Sequence, residues 1–156
     1  MAATQSKKIR ALLDANIIIK LRDIENDYAP MEDPRCLLSD WLIDETEFLY
    51  ASEIFNEINR DKDRKRAQRT RGFINHFVEA KHNIEVRKRI AQELEEVITG
   101  HADNDNSDRI QLATCIAAGV RYFITFDQGI LDAKEAIESN YDVEILTPLE
   151  FVLFID

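Results

Sequence analysis

Apolar positions along the chain fall into short runs separated by longer stretches of helical spacing, and this alternation predicts the architecture. Ile9 to Asp14 reads as a short buried strand ending on an acid, and the apolar run Ile17 to Leu21 begins a first helix, with Asn16 as its cap or turn residue. After a polar loop from Glu25 to Asp33, the pair Asp33-Pro34 predicts a helix start, with Leu37, Leu38, Trp41 and Leu42 at core spacing. Phe48 to Ala51 predicts a second strand. Ser52 reads as the cap of the helix carrying Ile54, Phe55 and Ile58. Phe73, Ile74, Phe77 and Val78 continue a helical stripe, and the alternation Asn83-Ile84-Glu85-Val86 predicts the third strand. Ile90, Leu94, Val97 and Ile98 form a further helix, closed by Gly100.

Asp105 to Asp127 predicts a small-residue helix running to Gly119, then a fourth strand at Tyr122 to Phe126 that ends on an acid. Leu131 to Ile137 predicts a polar helix, Val143 to Leu146 a fifth strand, and Pro148 opens a last helical segment. Strands alternating with helices predict an α/β domain with a mainly parallel sheet. With 156 residues, 45% apolar content and no repeat or linker, a single domain over residues 1–156 is expected.

Composition adds the electrostatics. Thirty acids against 20 bases give a net charge of -10, which argues against membrane or nucleic-acid binding through net charge alone. Against that background, Arg60 to Arg71 holds seven bases and two acids, a local charge of +5. Its plain reading is a solvated helix face; its functional reading is a phosphate contact through Arg60, Lys62, Arg64, Lys65 and Arg66. Cys36 and Cys115 form no CxxC pair and sit in apolar patterns, so neither a zinc site nor a disulfide is expected. His76, His82 and His101 have no ligand spacing. The polar start Met-Ala-Ala-Thr-Gln-Ser-Lys-Lys and the lack of any long apolar segment lead to the expectation of a soluble cytoplasmic protein, without membrane association.

Candidate chemistry comes from four acids. Asp14 and Asp127 end the first and fourth strands, while Glu57 and Asp108 fall in the early turns of two helices. In a parallel sheet all four approach one edge, where ligands of open α/β sheets bind. Crowded carboxylates repel one another, and a hard divalent cation relieves that repulsion. Oxygen-only ligands suit Mg²⁺ or Mn²⁺, and such a site suits phosphodiester hydrolysis. Each acid also has a plain reading as a cap, a turn residue or a favourable charge at a helix start. Glu53, one turn before Glu57, and Asp103 and Asp105, just before Asp108, are spare candidates. Ser52 and Ser107 read as caps, with Ser107 also near the site.

At these residues the chain resembles the PIN-domain ribonucleases, most closely the VapC-type toxins of toxin–antitoxin pairs. The resemblance lies in Leu-Leu-Asp-Ala-Asn at 12–16, Ser-Glu-Ile-Phe-Asn-Glu-Ile at 52–58 and Asp-Arg-Ile-Gln-Leu-Ala-Thr-Cys-Ile-Ala-Ala-Gly at 108–119. It continues through Phe-Ile-Thr-Phe-Asp at 123–127 and Ile-Leu-Thr-Pro-Leu-Glu-Phe at 145–151. It implies a three-layer α/β/α fold with a five-stranded sheet of order 3-2-1-4-5. It also implies a metal-dependent endoribonuclease whose catalytic and metal-binding residues are Asp14, Glu57, Asp108 and Asp127. Asn16, Thr125, Asp105 and Ser107 would support them. The implied cofactor is Mg²⁺ or Mn²⁺ and the implied substrate RNA, with an antitoxin protein and a second copy of the chain as further partners. The long polar loop, the extended basic region and the acidic balance depart from a minimal toxin. A PIN-like module without catalysis, acting in RNA binding or protein interaction, is the alternative of a different class.

Overall fold

A computed structural model describes residues 8–25, 44–98 and 105–155. The predicted helix at Asp33-Pro34, together with Cys36, Trp41, Gly100 and His101, lies outside them. Five strands form one all-parallel sheet: β1 (Ile9–Leu13), β2 (Thr46–Tyr50), β3 (Val78–Glu79), β4 (Tyr122–Ile124) and β5 (Glu144–Leu146), in the order 3-2-1-4-5. Eight helices stand among the described residues: α1 (Ala15–Glu25), α2 (Ile54–Arg60), α3 (Arg64–Ile74), α4 (Ile84–Val97), α5 (Asp105–Ala117), α6 (Gln128–Asp132), α7 (Lys134–Asn140) and α8 (Pro148–Ile155).

Strand alternation splits the core into two layers. Ala11 and Leu13 of β1 and Ile124 of β4 point to one face and pack against α1, α2, α3 and Phe151 of α8. Leu12 and Phe123 point to the other face, against Ile90 and Leu94 of α4, Leu112 and Cys115 of α5, Ile130 of α6 and Ile137 of α7. Both faces of the sheet are therefore covered, as a parallel sheet requires. No helix among the described residues is long and apolar enough to cross a membrane.

Several local expectations are corrected. Asn83 to Val86 is a helix start, not a strand: the Asn83 side chain accepts from the amides of Glu85 and Val86 and opens α4. The third strand lies earlier, at Val78–Glu79, and takes Val78 out of the predicted helical stripe, because α3 stops at Ile74. Ser52 is not a cap; the cap position of α2 belongs to Glu53 and makes no side-chain bond there. Asn16 lies inside the first turn of α1, and Ser107 is the third residue of α5. The fourth strand stops at Ile124, and Asp127 is instead the N-cap of α6, accepting from the Ile130 amide at 2.9 Å. The predicted polar helix at 131–137 divides into α6 and α7.

Candidate active site

The carboxyl end of β1 sets the position of the first acid. The Asp14 amide donates to the Ile124 carbonyl at 2.9 Å, extending the β1–β4 ladder by one residue. Its own carbonyl then accepts from the amides of Ile17 and Ile18, so the chain turns straight into α1. The carboxylate is left fully buried at the strand–helix junction. It accepts from the Ala15 amide at 2.8 Å, the Thr125 hydroxyl at 2.7 Å and the Asn16 amide group at 3.2 Å.

Thr125 ties the neighbouring strand exit to this group. Its amide donates to the Leu146 carbonyl of β5, while its hydroxyl oxygen accepts from the Asp127 amide at 2.9 Å. Asn16 completes the bridge, because its side-chain oxygen accepts from the Phe126 amide at 3.3 Å. These bonds hold Asp14 and Asp127 in a fixed relation although the residues lie on different strand exits.

Glu57 and Asp108 arrive from the helices. Glu57 sits in the first turn of α2, half-buried, and accepts from the Ser107 hydroxyl. Asp108, half-buried on the first turn of α5, lies against the Asp127 carboxylate. Glu53, the alternative to Glu57, is engaged by the Asn56 amide group at 2.8 Å on the outside of α2. The described part of Asp105 is its backbone, which starts α5.

A residue the sequence reading passed over ties the acids together. Gln111 is fully buried; its side-chain oxygen accepts from the Ala15 amide at 2.7 Å, and its amide group reaches the Ser107 hydroxyl at 3.5 Å. Ser107 donates in turn to Glu57, so a continuous polar path joins the Asp14 junction to α2. The available signal was a polar residue one turn after Ser107 on an otherwise apolar helix face.

The electrostatics follow from this crowding. Burial first, then repulsion from Glu57 and Asp127, pushes the Asp14 pKa from the ordinary 3.8 up to about 7, against the opposing bond from Thr125. Burial, the Asp14 charge and the bond to Asp127 push Asp108 up to about 9. Burial also raises Glu57, partly offset by Ser107 and Arg60. Asp14 thus feels Glu57 and Asp127, and Asp108 feels the other three. As they stand, no three acidic, histidine or cysteine side chains among the described residues are arranged to hold a metal ion. The carboxyls face one another and hydroxyl donors, and burial with mutual repulsion raises Asp108 beyond Asp14.

The Thr125 hydroxyl both donates to Asp14 and accepts from the Asp127 amide. Thr125→Val keeps the shape and leaves both partners without it, at a cost of about 1–3 kcal/mol. The expected melting-temperature loss is roughly 2–12 °C, given roughly 2–4 °C per kcal/mol in a chain of this size. An unchanged thermal melt would show that Thr125 does not hold the two strand exits together.

The basic candidates divide. Arg60 ends α2, Lys62 follows it, and Arg66 lies on α3 with its guanidinium clasped on the Asp61 carboxylate at 2.6 and 2.7 Å. These three, with Glu57, line a cleft of about 600 Å³. Arg64 and Lys65 are exposed on the first turn of α3 and are not among its lining residues.

A sheet of order 3-2-1-4-5 with four interacting carboxyls outside its carboxyl edge defines a class: acid-centred α/β/α domains. The fold itself is PIN-like, as comparison with solved structures shows. The chain is similar to VapBC2 from Rickettsia felis bound to a DNA fragment from their promoter, at 12% identity over 88% of this chain and 97% of that one, with a TM-score of 0.57. It is similar also to FitAcB from Neisseria gonorrhoeae, at 16% identity over 89% of this chain and 98% of that one, with a TM-score of 0.53. No protein-family model and no curated protein matches the chain.

Proposed function

We propose that this protein is a metal-dependent endoribonuclease that hydrolyses RNA phosphodiester bonds at the site formed by Asp14, Glu57, Asp108 and Asp127. One observation carries the reading: four carboxyls from four chain segments are gathered at the sheet edge although they repel one another. A structural role gives no reason for that expense, whereas a cation site does.

The donor set fits Mg²⁺ or Mn²⁺. It consists of carboxylate oxygens, with hydroxyl and amide groups behind them and no sulfur or imidazole in the constellation. The four acids would hold the ion once Asp108 is ionised. When bound, the ion supplies an acidified water and offsets the charge that grows on the phosphate. The protein's own residues do the rest. Thr125, Asn16 and the Ala15 amide fix Asp14 in one orientation, and the Ile130 and Thr125 bonds fix Asp127. Gln111 and Ser107 hold Glu57 against the same site. A base for the attacking water is available among carboxylates whose pKa values burial has raised toward neutrality.

The resemblance to VapC-type toxins and the fold shared with VapBC2 support an antitoxin partner for this chain. The test of the central reading is direct. Single-stranded RNA incubated with the pure protein is expected to be cut internally in Mg²⁺ or Mn²⁺ and to stay intact in excess chelator. RNA that survives both metals would leave the non-catalytic module as the reading.

A further inference from the structure

The cleft beside Glu57 has a composition that the acid site does not explain. Its apolar floor is Ile19 of α1 with Ile54 and Ile58 of α2. Around that floor stand Arg22, Arg60, Lys62 and Arg66, against Glu57 and Asp61. Asp61 is already clasped by Arg66, which holds its carboxyl near 2, well below the usual range. Arg22 is buried in the wall, where its guanidinium donates to the Thr70 hydroxyl at 2.7 Å and its charge is felt by Asp61. Thr70 donates back to the Arg66 carbonyl at 2.9 Å, so α1 and α3 form one braced wall. Arg60 and Lys62 are exposed at the rim. Bases outnumber acids here by four to two in a protein whose net charge is -10.

A positive rim excludes a second divalent cation and favours an anion. A volume near 600 Å³ with an apolar floor exceeds what a bare phosphate needs and matches a nucleotide unit, with sugar and base on the isoleucines. Glu57 lies in both places, on the cleft wall and among the four acids. The cleft therefore adjoins the candidate active site at Glu57.

We propose that this cleft is a flanking-nucleotide subsite: it takes one RNA phosphodiester next to the bond being cut, held by Arg60 and Lys62 over a floor braced by Arg22 and the Asp61–Arg66 clasp. The assignment rests on the ribonuclease reading for its substrate, but it is tested by binding alone. The subsite fixes the strand on the Glu57 side of the acids, so it reads the backbone and carries no base code. It requires a substrate that extends past the scissile bond on the Glu57 side.

The experiment uses the full chain carrying Asp14→Asn, in chelator, with a fluorescent single-stranded octaribonucleotide. One phosphate at a time is replaced by a neutral methylphosphonate, and binding is read by anisotropy. Neutralising one interior phosphate is expected to weaken binding about 10-fold, the loss of one charge-assisted contact. The added Arg60→Ala/Lys62→Ala pair is expected to bind the all-phosphate RNA about 10-fold more weakly, to lower the salt slope by about 1, and to ignore that same replacement. Both side chains are exposed at the rim, so the pair folds, and a thermal melt checks it. A flat methylphosphonate profile, or equal sensitivity with and without the two bases, overturns the subsite. So does competition by polyglutamate as strong as by RNA, which would mark the cleft as a dock for an acidic protein segment. The two readings fail separately: a position-dependent profile without any metal-dependent cleavage sinks the nuclease and keeps the subsite, whereas cleavage with a flat profile does the reverse.

Discussion

Asp14→Asn is expected to cut RNA on the order of 10³-fold more slowly than the parent chain while melting at the same temperature or higher. The rate loss follows from removing a carboxylate that stands at the centre of the acid set: several kcal/mol of charge stabilisation are at stake in a metal-assisted hydrolysis. The stability gain follows from what the same carboxylate costs. Burial and two neighbouring acids raise its pKa from 3.8 to about 7, which corresponds to an upper figure of about 4 kcal/mol against the charged form. Asparagine has the same shape and keeps an oxygen for the Ala15 amide, and its amide group can donate to the Thr125 hydroxyl. Two bonds at the other oxygen, from Thr125 and from Asn16, must rearrange, at a combined cost of a few kcal/mol, about 1–3 kcal/mol each at most. The difference leaves the variant level with the parent or slightly above it at pH 8 in chelator. Cleavage within tenfold of the parent would remove Asp14 from the chemistry. Normal folding with lost activity separates this variant from a substitution that merely disrupts the sheet edge.

What was legible in the chain was whatever repeats along a buried element. Strands β1, β4 and β5 lie with both faces covered, so their apolar runs stood out, and the acids after β1 and β4 could be placed at the sheet edge. The third strand was misplaced for a physical reason. Val78–Glu79 is two residues long, at the edge of the sheet, with Val78 half-exposed, so it carries no pattern to read. The alternation Asn83-Ile84-Glu85-Val86 reflected a capping asparagine followed by the outer face of a helix, where Ile84 is exposed. Of the site, the four acids could be marked because charge beside an apolar run is visible in one dimension. Gln111 could not be given its role, since its partner Ala15 lies 96 positions away. Nor could the cleft be foreseen, since it depends on α1 meeting α3 through Arg22 and Thr70, 48 positions apart. Ser107 shows the same limit at short range: a serine near a helix start reads as a cap until the helix is found to begin two residues earlier.

In chelator, the folded protein is expected to lose stability as pH rises from 5 to 8, and Mg²⁺ or Mn²⁺ is expected to restore it. Asp14 and Asp108 have folded-state pKa values above the ordinary 3.8, so the native state holds more protons than the unfolded chain between about 4 and about 7 for Asp14, and up to about 9 for Asp108. Stability must then fall as pH rises through that window and level off above it. Asp14 alone supplies a drop of about 2 kcal/mol between pH 5 and 7. Asp108 and Glu57 act in the same direction. Asp61, depressed to about 2, loses its contribution only below pH 4 and does not oppose the trend. A cation competes with the protons for the same oxygens, so its effect should be small at pH 5 and large at pH 8. At 100 times the dissociation constant the gain is about 2.7 kcal/mol, or roughly 5–10 °C in a chain of this length. Thermal melts across pH, with and without metal, read both halves. A stability flat from pH 5 to 8 would mean the carboxyls are not strained by burial, and a metal effect equal at both ends would place the ion elsewhere. The Asp14→Asn chain supplies the internal control: it should lose the Asp14 share of the pH slope together with most of the metal gain, while Asp108 and Glu57 keep a residual slope.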